Sequence, residues 1–448
     1  MTNHPNPILG RKHINRLAIP ALLAGVTEPV LSLTDTAIVG HIPEQGLAAL
    51  AAVGIVGSFL AMLVWILGQT SSALSAVVSQ YYGANKLYQI NPLPGQAIAV
   101  NLLIGIFLLL ISLPFSDSIF GMLNASGDVM QLCMEYYAIR AWGFPLTLII
   151  FGVMGVFQGL QNTTWPMAVA ITGAALNIVL DVLLVYGVPG WIPALGLEGA
   201  AWASLIAQGV MVVLALFLIH RYTHIKIIPS FSWHPELGRV LGMAGNLFIR
   251  SLALNIALLF AVRQAAGLGA SAIGAHTIAI NLWLFAAFFI DGYAVAGKIL
   301  AGRFIGAHDI PSLWQLSQKI LFYGLGVTAL LIVFGVIFYT QIGLQFSSDK
   351  AVLSDFGTLF KWVLIGLPIC SVAFIFDGIF KGLGKTQLLR NLLVLTTTLG
   401  YLPSLFLGQY MEWGLIGIWG ALTFWMALRG GVLVWKFHQY FHPLLQKT

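Results

Sequence analysis

The chain has 448 residues, of which 59% are hydrophobic and only 8% charged, with a mean hydropathy of +0.91. A water-soluble domain carries about 25% charged residues, so a chain this poor in charge cannot cover a surface facing water, and its solvent is lipid. The formal net charge of +6 reflects which loops face the cytoplasm and is not a nucleic-acid footprint.

A bilayer core about 30 Å thick needs about 20 apolar residues in a helix. Twelve such segments are predicted, at residues 16–40, 47–79, 94–115, 131–157, 165–188, 196–220, 238–266, 271–303, 315–341, 355–381, 387–408 and 414–437. Continuous apolar runs such as 100–113 exclude the alternating pattern of a transmembrane β-strand. Lys and Arg cluster at the N-terminus (Arg11, Lys12, Arg16), then in alternate loops (Lys86; Arg221, Lys226 and Arg239; Arg303; Lys385 and Arg390) and at the C-terminus (Lys436, Lys447). The opposite loops carry Glu44, Asp117, Asp128 and Glu412, with Lys350 as an exception. The positive-inside rule then predicts both termini in the cytoplasm, as an even number of spans requires. No cleaved leader is expected. Cys133 and Cys370 lie in apolar segments at no metal-like spacing and read as packing residues.

The chain repeats itself. An offset of 223 residues lays Gly46 on Gly269, residues 79–86 on 302–309, Pro145 on Pro368 and FQGLQNT from Phe157 on FKGLGKT from Phe380. A slightly shorter offset brings 195–203 near 413–421. Each half has six spans, so the halves share one orientation, a first half at 1–222 and a second at 223–448. The predicted fold is an all-α integral membrane protein with twelve transmembrane helices in two pseudo-symmetric six-helix bundles. Repeats of this kind belong to transporters that alternate access, with the cleft between bundles as the default substrate site. Small residues repeat too: Gly155 and Gly159 match Gly378 and Gly382, and Ser79 and Gly83 match Gly302 and Gly306. That spacing lets helices approach closely in lipid.

Charged groups inside a membrane are costly and usually functional. The acids within predicted spans are Glu28, Asp35, Asp181, Asp291 and Asp377. Asp35 lies deep in the first span with no basic residue within two turns, a candidate switch whose charge changes during a cycle. Its partner in the repeat is Leu258, so the acid serves the first half alone. Pro20 begins the same span, where it either sits in the helix's first turn or permits a bend. Asn177 and Asp181 are four apart and share a face. Together they offer a hard-cation or proton site, and if Asp35 faces them two carboxyl groups share one pocket. Asp291 and Lys298 are seven apart, as consistent with an ion pair as with a role in transport. Asp377 and Lys381 have the spacing of a local pair. Arg250, Arg263 and Glu28 are open between structural and functional roles, and Gln158 lies in the repeated FQGLQNT segment. His276 reads as a bundle histidine with its hydrogen bonds satisfied. The many Phe, Trp and Met residues face lipid or pack, although a drug cavity uses the same types.

No phosphate-binding loop, HExxH or GxSxG sequence is present, so no enzyme activity and no bound cofactor are expected, and transport energy must come from an ion gradient. The segments TDTAIVGH (34–41), QYYGANK (80–86), NIVLDVLLVYG (177–187), GLEGAAWAS (196–204) and FFIDGYAVAGKILAGRFIGA (288–307) together resemble the multidrug and toxic compound extrusion (MATE) transporters, with closer similarity to their prokaryotic DinF-like branch. The resemblance implies an antiporter of a bacterial inner membrane that exports drugs, dyes and other hydrophobic or cationic compounds in exchange for H⁺ or Na⁺. A monomer in contact with membrane lipid is expected, and the charge pattern predicts no nucleic-acid partner. The resemblance further implies coupling at Asp35, Asn177 and Asp181, with Ser204 in the place of a sixth-span Thr, and bending of the first span at Pro20. Two departures stand out: GQTSSAL (68–74) follows the second span's glycine, and Lys298 replaces an acid of the eighth span. The alternative reading is a flippase for a lipid-linked precursor from the same wider superfamily, for which Arg250, Arg263 and Lys298 would supply a cationic cavity.

Overall fold

The computed structural model describes residues 7–42, 46–223, 225–227, 229, 232–346 and 349–446. Glu44 and Lys447, used above for orientation, lie outside the described residues. The helices in chain order are α1 Arg11–Gly40, α2 Gly46–Leu67, α3 Gln69–Gly83, α4 Leu93–Ser112, α5 Ser116–Met122, α6 Gly127–Arg140, α7 Gly143–Gly159, α8 Thr164–Val185, α9 Gly196–Tyr222, α10 Pro235–Gly267, α11 Ala270–Gly306, α12 Ile310–Ile337, α13 Tyr339–Phe346, α14 Lys350–Gly382, α15 Thr386–Thr396, α16 Leu402–Tyr410 and α17 Gly414–Leu445. Among the described residues eleven spans are long and apolar enough to cross a bilayer, and a bent pair, α6 with α7, makes the twelfth.

The departures from straight predicted spans have local causes. The second span breaks at Gly68, between α2 and α3. The fourth is bent by 47° between Arg140 and Gly143. Pro145 contributes to it, because a proline ring clashes with the carbonyl four residues earlier, here Ala141. In the eleventh, a π-turn at Thr397–Tyr401 joins α15 to α16 just ahead of Pro403. Such a turn absorbs the extra residue where the regular ladder fails. By contrast α1 runs unbroken through Pro20 and also Pro29. It starts at Arg11, so Pro20 is nine residues inside and not in the first turn.

The repeat is visible in backbone geometry. Asn85 and His308 both adopt positive φ (55° and 57°), as do Gln161 and Gly384 (63° and 73°), each pair 223 residues apart. The short helices α5 and α13, which the hydropathy pattern did not resolve, begin at Ser116 and Tyr339, at the same offset. Gly196 and Gly414, matched at the shorter offset, have φ of 55° and 56°.

Two compact units partition the chain, one made of Leu23–Val78 and Lys86–Ala244, the other of Met1–Leu22, Ser79–Asn85 and Gly245–Thr448. In the first, Gly155 packs on the backbone of Ser71 and Gly159 against Ser75 and Val78. In the second, Gly378 packs on the carbonyl of Ala294 and Gly382 on that of Lys298. The partners are again 223 apart, so each half closes helix on helix through the same glycines. Also in the second unit, Ser79 and Gly83 pack directly against Gly302 and Arg303, and the Gln80 amide donates to the Gly382 carbonyl at 2.8 Å.

A Cβ on Gly378 would collide with backbone, which cannot give way as a flexible side chain can. Gly378→Leu is therefore expected to cost at least the 1–3 kcal/mol typical of overpacking. It should lower the thermal midpoint in detergent, while Gly326→Leu, which faces open space on α12, should leave it unchanged.

Candidate functional site

In the first unit, α1, α8 and α9 bring four of the predicted residues together. Asp181 and Asn177 are buried on one face of α8, and Ser204 is buried on α9. The Asn177 amide is assigned from its neighbours. Its nitrogen then donates to Asp35 Oδ1 at 3.1 Å and Asp181 Oδ2 at 3.2 Å, and its oxygen accepts from Ser204 Oγ at 3.2 Å. The Asp35 and Asp181 carboxyl groups also lie within hydrogen-bond reach of each other. Asp181 Oδ1 has no partner among the described residues. The end of α1 that carries Asp35 is fastened to α8 by Tyr186, whose hydroxyl donates to the Ile38 carbonyl at 2.7 Å.

Two further residues join this cluster that were not singled out in the sequence. Arg140, at the end of α6, exerts its charge on both carboxyl groups and on the buried Tyr136 one turn earlier. The signal was available: Arg140 is the one basic residue in the predicted span 131–157. Its Nε and Nη1 have no hydrogen-bond partner among the described residues. The site thus holds two acids, an amide, a hydroxyl and a guanidinium held near but not closed onto the acids. Such a donor set has the chemistry to hold a proton or a small cation.

Other candidates stand apart. Glu28 is exposed on α1, seven residues before Asp35, with no ion pair among the described residues. Gln158 lies in the last turn of α7, near the start of α8, whereas Asp181 is 17 residues beyond Thr164, or about 25 Å along the helix.

In the second unit Asp377 is bound by far more than the local pair expected. Arg250 Nη2 approaches its Oδ1 at 2.7 Å and Nε at 3.0 Å, Lys381 lies at 3.1 Å from Oδ2, and Arg429 at 3.6 Å from Oδ1. Arg429, in mid-span on α17, was not anticipated, although an arginine at that depth was signal enough. Asp291 is exposed while Lys298 is buried on the same helix, and they form no ion pair with each other. His276 is buried edge-on against Trp419 at 5.9 Å, and neither ring nitrogen has a partner among the described residues. The expected satisfied histidine is thus an unsatisfied one, because the face it meets is aromatic. Among the described residues no group of three metal-ligating side chains occurs.

A dozen apolar spans in two repeating halves, with buried polar clusters inside each, define a polytopic membrane transporter. The MatE family model matches residues 20–183 and 247–405, one stretch in each half, and the chain belongs to that family, whose members are transporters and not enzymes. It is 27% identical over 441 residues to the DNA damage-inducible protein F of Escherichia coli, covering 95% of this chain and 92% of that protein. It is 25% identical to the probable multidrug resistance protein NorM of Shewanella oneidensis, covering 94% and 92%. A solved MATE structure described as the bent conformation superposes with a TM-score of 0.90 over 98% of each chain at 20% identity, a likeness of fold.

Removing one partner from a buried ion pair costs about 3–5 kcal/mol because the other charge stays behind. Asp377→Asn should therefore lower the thermal midpoint markedly. Asp35→Asn keeps a hydrogen-bonding side chain at a half-buried position and should shift it little; equal shifts would contradict this division.

Proposed function

We propose that the protein is a multidrug efflux antiporter that exports hydrophobic and cationic organic compounds in exchange for H⁺, coupled through Asp35 and Asp181. The observation that carries this reading is the contact of two carboxyl groups from different helices, α1 and α8, bridged by Asn177. Two carboxyl groups this close attract when one holds a proton and repel when both are charged. A proton gained or lost therefore changes how α1 is held against α8. In the charged state the pair attracts a cationic compound; protonation cancels that attraction and releases it. Ser204 and Asn177 orient the acids, and Pro20 gives α1 a point without a backbone hydrogen bond at which to bend. Further parts of the proposal are a bacterial inner-membrane location with both termini cytoplasmic, a monomeric state, lobes at 1–222 and 223–448, and no bound cofactor. A second reading, a flippase for a phosphate-bearing lipid, is favoured only by the buried arginines near Asp377.

The test is a resistance profile in a drug-sensitive host. Asp35→Asn should reach the membrane in normal amounts and lose resistance, and full resistance in that variant would sink the mechanism. In proteoliposomes, an inward-directed pH jump should drive dye efflux at constant Na⁺, and a Na⁺ jump at constant pH should not. The reverse result would assign the same site to sodium.

A further inference from the structure

The second half contains a buried cationic cluster that the coupling mechanism leaves unused. Asp377 is a single carboxylate with three cations within 4 Å, Arg250, Lys381 and Arg429, which leaves two positive charges in excess. A further buried lysine, Lys298, is near enough to repel Lys381. Excess charge at this depth is expensive unless something neutralises it.

Several buried donors around the cluster have no acceptor among the described residues. Arg429 is 2% exposed, and its Nη2, at 3.6 Å from Asp377, is too far for a hydrogen bond. Its guanidinium lies over the ring of Trp425 at 5.5 Å, and Trp425 packs on Tyr401 with ring centroids 5.0 Å apart. Trp425 Nε1, the Tyr401 hydroxyl and the Thr397 hydroxyl are each without a partner. Thr397 and Tyr401 are the two ends of the π-turn, a feature frequent at functional sites. Buried donors of native proteins are nearly always satisfied. Here guanidinium, indole and phenol donors belong to side chains in contact with one another, Arg429 on Trp425 and Trp425 on Tyr401, beside a surplus of positive charge.

We propose that this cluster binds a small monovalent inorganic anion such as chloride, held by Arg429 with the Trp425 indole N–H. Charge selects an anion over water. Size selects an inorganic ion over an organic acid or a lipid phosphate, because Trp425, Tyr401 and Arg429 are all at most 2% exposed and leave no entrance for a larger group. The anion neutralises the arginines, so that the second half presents no repulsive field to a cationic substrate.

Bromide is the probe. The full-length protein in detergent, at constant Na⁺ and ionic strength, is titrated by replacing gluconate with bromide while the thermal midpoint and tryptophan fluorescence are followed. A saturable rise in midpoint with saturable quenching is expected. Arg429→Gln should raise the half-saturating bromide concentration about tenfold or more, and Trp425→Phe, which keeps the ring but removes the donor, should raise it by a smaller factor. Identical behaviour in bromide and gluconate would overturn the proposal in the wild-type protein alone, whether or not a variant folds. An unchanged half-saturation in both variants would overturn it as well. Bromide competed off by vesicles of anionic lipid, but not by chloride, would assign the arginines to a lipid phosphate instead.

Discussion

In lipid, a backbone amide or carbonyl has no water to turn to, and each group left without a partner costs several kcal/mol. That constraint explains why the chain is helical throughout its apolar length and why its few irregularities are so localised. Breaks fall at Gly68, at Ala141 ahead of Pro145, and at the π-turn ahead of Pro403, each beside a glycine or a proline that weakens the ladder. It also explains the glycine contacts. Lipid tails are as apolar as leucine, so helices gain little by merely hiding apolar surface from them, and close packing must supply the association. Gly155 and Gly159 in one half, Gly378 and Gly382 in the other, provide it by letting one helix rest on the backbone of the next.

The same constraint applied to side chains divides the two halves. They share turn geometry, short helices and glycine contacts at a fixed offset, yet their buried acids and arginines fall at different positions. In the repeat register Asp35 faces Leu258 and Arg140 faces Val363, while Asp377 corresponds to Met154 and Arg250 to Thr27. The first half gathers two acids around an amide with one arginine nearby. The second gathers three cations around one acid. Asp377 is held by direct ion pairs and is thereby committed to structure. The Asp35–Asp181 pair has no such lock, and that difference is what makes it the better candidate for a group that changes charge.

Spans, repeat and orientation signals were legible because hydropathy and sequence offset are one-dimensional properties. The acids were legible because charge is rare in apolar sequence, and Asn177 with Asp181 because four residues make one helical turn. What escaped was set by packing between distant segments. Arg140 is 41 residues from Asp181, and Arg429 is 52 from Asp377; no spacing rule joins them. The bend at Ala141 has its counterpart at Pro368, which sits inside an unbroken α14, so the proline alone did not decide between bend and continuity. His276 was misjudged because a lone histidine says nothing of the aromatic ring it will meet.

One helix ties these observations together. The boundary between the compact units falls within α1, between Leu22 and Leu23, two residues after Pro20. The segment before it packs in the second unit, where Gly292 lies against Ala18 and Leu22 and the Tyr293 hydroxyl bonds to Asn15 at 3.2 Å. The segment after it carries Asp35 into the acid cluster of the first unit. Asp35 therefore sits on a helix whose start packs in the second unit, with Pro20 inside that packed segment and Pro29 between it and the acid. Pro29 removes the hydrogen bond to Gly25, so between that anchor and Asp35 α1 has one backbone bond fewer than an uninterrupted helix. Thus α1 carries an acid of the first unit's cluster, while its start packs in the second unit.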